Sequence, residues 1–417
     1  MARFEGALAR ASARTGVITP EHADVIAAVC EHAVLDASTL AREARHAGTL
    51  TIPFVKTLTK QVAGVSADAA RFVHFGATSQ DVTDTALALC LRASSERTLA
   101  LARELGDALA AVARRHARTP IAARTLLQPA APIPFGWKVA MWLSPLARSL
   151  PHYRHASAEA SVLQFGGAAG TLSAFGEKGG TVAKELGREL GLRTAVTWHS
   201  ARDAFARLGS ESAILAGIAA KIARDVALAM QPEVGELAEP TTPGRGGSSA
   251  MPHKRNPAAC MLALEAARRV PGLAATLLNQ LESEHERGVG QWQSQFITMR
   301  ELVCATASAL AAMAEVLQGL QVNDRAMLDN LEHSKGLVFS EAVSLRLSRA
   351  MADRLVERAV REKKHLAEVM LADAEASRAL SREEMAALFN AEKSYGAAAE
   401  MTERVLADWA SARETAP

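Results

Sequence analysis

Residues 83–112, TDTALALCLRASSERTLALARELGDALAAV, are the stretch that decides the fold. Mostly apolar or small side chains recur there at alternating spacings of four and three residues: Thr83, Leu87, Leu91, Ser94, Thr98, Leu101, Leu105, Ala108 and Val112. This spacing places them on one face of an α-helix. The stretch therefore predicts a long helix whose seam packs inside a bundle.

Four further segments show the same helical character. The apolar positions of two of them also recur at helical spacing: every four residues at Ile214, Ile218, Ile222 and Val226, and at four and three residues in Val303, Ala307, Leu310, Ala314 and Leu317. Segments 135–162 and 257–281 are also predicted to be helical, with kinks at Pro145, Pro151 and Pro271. Abundant alanine favours helices. We therefore expect an all-α protein with a central bundle of five long helices.

The bundle divides the chain into three predicted helical domains. Residues 1–82 form an N-terminal domain of short helices and turns, residues 83–334 the central long-helix bundle, and residues 335–417 a smaller C-terminal domain. Residues 239–257, rich in proline and glycine, interrupt the central domain and predict a loop mobile enough to close over a substrate.

Composition limits the class of protein. The 417 residues carry 47 Lys and Arg against 45 Asp and Glu, without the basic block and interleaved aromatics that bind nucleic acid. Four widely separated cysteines favour neither a zinc site nor a disulfide framework. The first residues lack an apolar signal core, and charges interrupt each later apolar run. We expect a soluble cytoplasmic protein that binds neither nucleic acid nor membranes.

The loop also carries the chemistry. Residues 244–257, GRGGSSAMPHKRNP, place two serine hydroxyls, cations and an amide among glycines and prolines. A Ser-Ser pair alone is ordinary, since hydroxyls suit turns. Asn256 and Pro257 predict an N-cap and a first helical residue. The loop should then lead into a helix whose unpaired amides and dipole favour an anion.

Several stretches resemble one enzyme superfamily. The pattern GSSAMPHKRNP, residues 247–257, resembles the signature of the fumarase/aspartase superfamily, which includes adenylosuccinate lyase and argininosuccinate lyase. Residues 74–85, HFGATSQDVTDT, resemble its first block, and residues 124–136 match a further block less fully. Other stretches resemble the 3-carboxy-cis,cis-muconate cycloisomerase branch: 163–170 (LQFGGAAG), 198–203 (WHSARD), 284–292 (EHERGVGQW) and 395–396 (YG).

This resemblance implies a fold and an activity. The fold is the three-domain helical one whose central bundles associate into a homotetramer, with each active site assembled from three subunits. The activity is the lactonisation of 3-carboxy-cis,cis-muconate, a small tricarboxylate, to 4-carboxymuconolactone in the protocatechuate branch of aromatic catabolism. We expect this chemistry to need neither a metal nor a cofactor.

The resemblance also implies roles for individual residues. Ser248 would transfer a proton at the carbon beside a carboxylate, with Lys254 and Asn256 stabilising the developing negative charge. Thr78 and Ser79 would bind a substrate carboxylate at the start of the long helix. The remaining candidates for carboxylate binding are Arg287, His285, Arg202, His74, His199 and Arg124.

Three of these candidates, Arg202, His285 and Arg287, also have a simple structural interpretation. Arg202 stands beside Asp203, and the two side chains suit a surface ion pair. Residues 284–287 suit a solvated helix face.

The chain departs from the superfamily pattern in two places. Counting from Arg124 to Gly136 puts Pro129 where many of these lyases have an acid histidine, and proline cannot transfer a proton. A carboxylate leaving group, with a pKa of about 4, needs little acid assistance, so Pro129 suits lactone chemistry better than amine elimination. The family chain also begins with residues ahead of residues 5–9, which indicates a truncated or misassigned start.

Two alternative functions stay open from the sequence. An adenylosuccinate-lyase-like or other superfamily lyase would share the loop, although Phe296 stands where that branch would carry an arginine. A catalytically silent helical scaffold would explain Pro129 and the short start. The intact Ser248, Lys254 and Asn256 argue against such a scaffold.

Overall fold

The computed structural model describes residues 1–241, 243–251 and 253–414. Thr242 and Pro252 of the predicted loop, and residues 415–417 of the predicted C-terminal domain, lie outside the described residues. Helices dominate the part of the chain that is described, and its strands are short. The expected all-α class is confirmed.

The chain begins with short helices and continues with long ones. The short helices that come first are α1 (Ala2–Arg14), α2 (Pro20–Glu31), α3 (Ala37–Ala47), α4 (Thr51–Ala63) and α5 (Ala67–Ala70). The long helices and the short α8 among them are α6 (Ser79–Arg115), α7 (Phe135–Ala160), α8 (Gly179–Leu190), α9 (Asp203–Ala229), α10 (Ala258–Leu278) and α11 (Gln291–Gln318). Each long helix matches a segment predicted from the sequence. Pro145 and Pro151 lie inside α7, and Pro271 lies inside α10.

The last part of the chain consists of shorter helices. They are α12 (Asp324–His333), α13 (Ser340–Arg346), α14 (Arg349–Glu362), α15 (Leu366–Leu371), α16 (Ala376–Ala379), α17 (Arg382–Leu388) and α18 (Ala398–Glu414). Short 3-10 segments cover Ser173–Lys178, which is kinked at Gly176, and Leu337–Phe339 and Ala391–Ser394.

The strands of the described residues form three small two-stranded sheets. β1 (Pro120–Thr125) and β2 (Gln128–Pro134) are antiparallel, β3 (Val162–Leu163) and β4 (Arg193–Thr194) are parallel, and β5 (Leu237–Ala238) and β6 (Gln321–Val322) are antiparallel. The β1–β2 hairpin turns at Leu126 and Leu127, which both have positive φ, as a tight hairpin turn requires. Both leucine side chains are exposed.

The chain forms two compact units. The first contains residues 1–98, 152–213 and 269–305, and the second contains residues 99–151, 214–268 and 306–417. These bounds fall inside the five long helices, and none of them coincides with the expected boundaries after residues 82 and 334. The division into residues 1–82, 83–334 and 335–417 stays a prediction.

The core of the first unit is built mainly from its short helices. Phe4 of α1, Ile26 of α2, Leu58 of α4 and Leu186 of α8 are fully buried in one apolar cluster. Each such side chain contributes about 1.5–3 kcal/mol by leaving water. Tyr153 of α7 donates a hydrogen bond to Ser95 of α6 (3.4 Å), and burial raises the pKa of its phenol.

Two tryptophans connect helices within the second unit. Trp142 of α7 donates from its indole nitrogen to Asp225 of α9 at 2.7 Å. Gly106 of α6 lies against Trp409 of α18 so closely that a Cβ at position 106 would come within 2.2 Å of the indole ring. Glycine is therefore required for α6 and α18 to approach this closely.

Helix α11 is, by length and composition alone, apolar enough to span a membrane. However, Leu302, Leu310 and Met313 on this helix are fully buried within the protein. Such burial is typical of the central helix of a packed core, and we interpret α11 in that way.

Candidate active site

Glu239 joins the two ends of the loop at residues 239–257, called the serine loop below. This residue directly follows β5, and its buried carboxylate accepts hydrogen bonds from the amides of Ala259 (3.1 Å) and Cys260 (2.7 Å) in the first turn of α10. A carboxylate satisfies helix amides that have no partner inside the helix. The helix begins at Ala258 and is capped by Glu239, so the expected cap by Asn256 with Pro257 as first helical residue is wrong.

The cap by Glu239 changes the electrostatics expected for the loop. The helix amides that were predicted to attract a substrate anion already bind a carboxylate of the chain itself. Burial, together with Glu239, raises the pKa of the Cys260 thiol. Cys260 is therefore a protonated core residue beneath the loop.

The loop is also joined across its middle. The amide of Asn256 donates to the carbonyl of Gly246 at 2.8 Å. Gly246 has a φ of +74°, and a Cβ there would lie 2.8 Å from the carbonyl oxygen of Asn256. Arg245 forms an ion pair with Glu315 of α11. These contacts hold the segment before Ser248 against the segment that carries Asn256.

Ser248 is half-buried and sits in a turn of its own. Its Oγ accepts hydrogen bonds from the amides of Met251 (3.1 Å) and Ala250 (3.4 Å). Two amide donors on a hydroxyl oxygen stabilise the negative charge that the oxygen gains when it gives up its proton. The geometry therefore suits a serine that takes part in proton transfer.

Lys254 and Asn256 line a pocket of about 220 Å³ together with Gly247 and Arg255. The Lys254 side chain is exposed, while the Asn256 amide group reaches back to the carbonyl of Gly247 at 3.4 Å. A cation and an amide donor at one pocket form a site for a negatively charged oxygen. Ser248 lies in the same loop but is not among the residues that line this pocket.

In the first unit, Thr78 and Arg287 form a second polar site. Arg287 donates from Nη1 to the hydroxyl of Thr78 at 2.7 Å, just ahead of Ser79, where α6 begins. A guanidinium and hydroxyls at a helix N-terminus suit a carboxylate.

Arg287 and His285 lie on the link between α10 and α11, which runs from residue 279 to 290, so the solvated helix face considered for residues 284–287 is wrong. His285 is exposed, with a φ of +49°. The neighbouring Glu284 accepts hydrogen bonds from its own backbone amide and from the amide of Val289, and these bonds lower the pKa of the Glu284 carboxyl.

Arg202 and His199 are buried and paired with carboxylates of α6. Arg202 donates to both oxygens of Asp84 at 2.6 and 2.9 Å and to Gln295, and its Cζ lies 4.8 Å from the ring centroid of Trp198. The surface pair of Arg202 with Asp203 is therefore wrong. His199 contacts Asp81 through Nε2 at 2.8 Å.

His74 and Arg124 are likewise held by buried carboxylates. His74 has a φ of +61°, and its Nδ1 and amide contact Glu5 at 2.8 and 3.1 Å, which leaves Nε2 for a ligand. Arg124 of β1 donates to both oxygens of Glu236 at 2.7 Å. Pro129 pairs with Arg124 across the hairpin and is exposed.

Five carboxylates that hold these candidates or the start of α10 were not identified from the sequence. They are Glu5, Asp81, Asp84, Glu236 and Glu239. Asp81 and Asp84 stand within the first motif block, three residues apart, which places them on one face of α6. That spacing was the available signal, whereas the partners of Glu5 and Glu236 lie 69 and 112 positions away and could not be identified from the sequence.

A helical fold with this serine loop defines a lyase, and comparison with known proteins agrees. A family model described as lyase matches residues 1–272, and the chain belongs to that family. The 3-carboxy-cis,cis-muconate cycloisomerases of Bradyrhizobium diazoefficiens and Pseudomonas aeruginosa are 46% and 43% identical to it, over 97% and 98% of this chain and 92% and 91% of theirs.

Solved structures give the same result. The crystal structure of the 3-carboxy-cis,cis-muconate lactonizing enzyme from Pseudomonas putida matches with a TM-score of 0.93 and 36% identity, covering 99% of this chain and 94% of that one. The resemblance stated from the motif blocks is confirmed, and the chain is an enzyme of the lyase superfamily.

Proposed function

We propose that this enzyme lactonises 3-carboxy-cis,cis-muconate to 4-carboxymuconolactone, within the protocatechuate branch of aromatic catabolism. The observation that carries the proposal is similarity at 46% and 43% identity, over nearly the whole chain, to enzymes that bear this activity in their names. The loop around Ser248 supplies the chemistry that such an activity needs.

Ser248 is the proton donor in the lactonising direction. One substrate carboxylate adds across the conjugated double bond, and the carbon beside a second carboxylate then receives a proton. Before that proton arrives, the second carboxylate carries enolate-like charge, which Lys254 and the amide group of Asn256 stabilise. The amides of Ala250 and Met251 stabilise the serine oxyanion that remains.

Direct carboxylate binding falls to residues with free donors. Thr78, Ser79 and Arg287 form the site at the N-terminus of α6, His285 lies on the same link as Arg287, and His74 offers Nε2. Arg202, His199 and Arg124 have supporting roles, because their donors are directed at the carboxylates of Asp84, Asp81 and Glu236.

The exposed Pro129 fits this reaction. In the reverse direction a carboxylate leaves, and a leaving group with a pKa of about 4 departs without a protonating acid. An adenylosuccinate-type elimination expels a nitrogen base and benefits from such an acid. Phe296, an exposed apolar residue of α11, stands where that branch would carry an arginine.

The enzyme functions as a cytoplasmic homotetramer with active sites shared by three subunits. Support comes from large apolar side chains that stay exposed on the long helices, where a single chain gains nothing from them. They are Met141, Ile214, Leu228, Met261, Leu262, Leu278, Phe296 and Ile297.

The test is an absorbance assay with purified protein. Loss of the conjugated diene of 3-carboxy-cis,cis-muconate is followed for the unmodified chain, Ser248→Ala and the matched control Ser249→Ala, with adenylosuccinate and argininosuccinate as parallel substrates. We expect diene loss that is abolished by Ser248→Ala and retained by Ser249→Ala. Turnover of adenylosuccinate instead would assign the chain to the rival lyase, and inactivity of a folded tetramer on all three would favour the scaffold.

A further inference from the structure

Asp81 lies in the first turn of α6, and its carboxylate is fully buried. The carboxylate contacts five donors: the amides of Thr78 (3.0 Å), Gly166 (3.0 Å) and Gly167 (2.9 Å), and the side chains of Gln164 (3.0 Å) and His199 (2.8 Å). A carboxylate offers about four lone-pair sites, so its capacity is used up by the protein. Asp81 therefore has none left for a substrate.

These donors come from three separate motif blocks, at residues 74–85, 163–170 and 198–203. A buried carboxylate is tolerated only when hydrogen bonds replace its lost water, so the three segments must all be in place around it. The Asp81 carboxylate is thus a contact that all three segments share.

We propose that Asp81 is a positioning residue that aims the hydroxyl of Thr78 at the substrate. Oδ2 accepts from the amide of Thr78, which fixes the backbone of that residue and directs its Oγ1 toward Arg287. This inference rests on the proposed function, in which Thr78 and Arg287 bind a substrate carboxylate.

Asp81→Asn preserves the shape of the side chain. Only one of its two terminal atoms, the amide oxygen, still accepts hydrogen bonds, because the other becomes an NH2 donor. Oδ1 faces Gln164, Gly166 and His199, while Oδ2 faces Thr78 and Gly167. Whichever way the asparagine is oriented, its NH2 group meets other donors. The first turn of α6 then loses its fixed geometry.

The experiment compares Asp81→Asn, Thr78→Val, the double variant and the control Asp373→Asn. Asp373 is also a buried carboxylate that accepts two backbone amides, those of Glu375 and Ala376, outside the proposed site. Initial rates of diene loss give kcat and KM, and thermal denaturation reports folding.

We expect Asp81→Asn and Thr78→Val each to raise KM about tenfold or more, the effect of a lost charge-assisted hydrogen bond, with a smaller change in kcat. The double variant should be no worse than the more affected single variant, because both act on the same hydroxyl. Asp373→Asn should lower the melting temperature and keep KM.

Two results would overturn the proposal: wild-type KM in folded Asp81→Asn, or effects that multiply in the double variant. Should Asp81→Asn fail to fold, Gln164→Leu keeps the carboxylate and removes one of its donors, together with the bonds of Gln164 to Thr197 and Trp198. It should raise KM more mildly, and an unchanged KM would also count against Asp81. An unchanged KM in Thr78→Val refutes the subsite and the inference with it, while inactivity of Ser248→Ala would still support lactonisation.

Discussion

The buried ion pair between Asp84 and Arg202 makes a stability prediction that can be worked from the structure. The two side chains are 2% and 0% exposed, and the guanidinium meets both carboxylate oxygens, with its Cζ 4.8 and 4.9 Å from the ring centroids of Trp198 and Phe205. Asp84→Asn keeps the shape of the side chain and removes its charge. The guanidinium then stays buried without a counter-ion.

Breaking one side of a buried pair costs about 3–5 kcal/mol of folding free energy. An unfolding entropy of about 2.1 cal/mol/K per residue amounts to about 0.9 kcal/mol/K for 417 residues. The melting temperature should therefore fall by about 3–6 °C, measured by scanning calorimetry. The control Asp203→Asn removes an exposed partner of Arg207 and should change stability by less than about 1 kcal/mol.

A double variant sharpens the test. Asp84→Asn with Arg202→Met removes both charges, so it should be more stable than Asp84→Asn alone. The reasoning is refuted if Asp84→Asn melts at the wild-type temperature, or if Arg202→Met raises KM without any loss of stability. The second result would restore Arg202 as a direct ligand of the substrate.

Three further predictions concern the loop, the hairpin and a buried thiol. Gly246→Ala should lower the free energy of unfolding by about 1–2 kcal/mol and lower kcat, because Gly246 has a positive φ and lies against the Asn256 carbonyl. The control Gly247→Ala has open space around it and should change neither; equal kinetics of the two variants would contradict this. Pro129→His should leave the rate of diene loss nearly unchanged, and a large gain would show that an acid was missing. Burial raises the pKa of Cys30 to about 12, so iodoacetamide at pH 8 should label it only after denaturation, as peptide mass spectrometry would report; native labelling at the denatured rate would disagree.

The long helices were predictable because their signal is local. Repeats at three and four residues mark one helix face whatever the rest of the chain does, and the segments at 83–112 and 214–226 both became helices. The β1–β2 hairpin was not predicted, since its strands are rich in proline and alanine, which have little strand propensity.

The candidate site shows the same division between local and distant information. Motif spacing put Ser248, Lys254 and Asn256 together, because fourteen consecutive residues carry all three. The partner of Arg202 lies 118 positions away, and the carboxylate that caps α10 lies 20 positions before Ala259. Such pairings depend on the folded chain, so the sequence suggested a surface pair and an asparagine cap instead.

The contacts of Asp81 also bear on how the chain matures. Its donors at Gln164, Gly166, Gly167 and His199 lie 83, 85, 86 and 118 positions downstream. During synthesis, the Asp81 carboxylate at the start of α6 gains its full set of hydrogen bonds only after residue 199 has been added to the chain. Helical content can therefore recover well before turnover does, and regain of activity during refolding is the stricter gauge of a correctly assembled molecule.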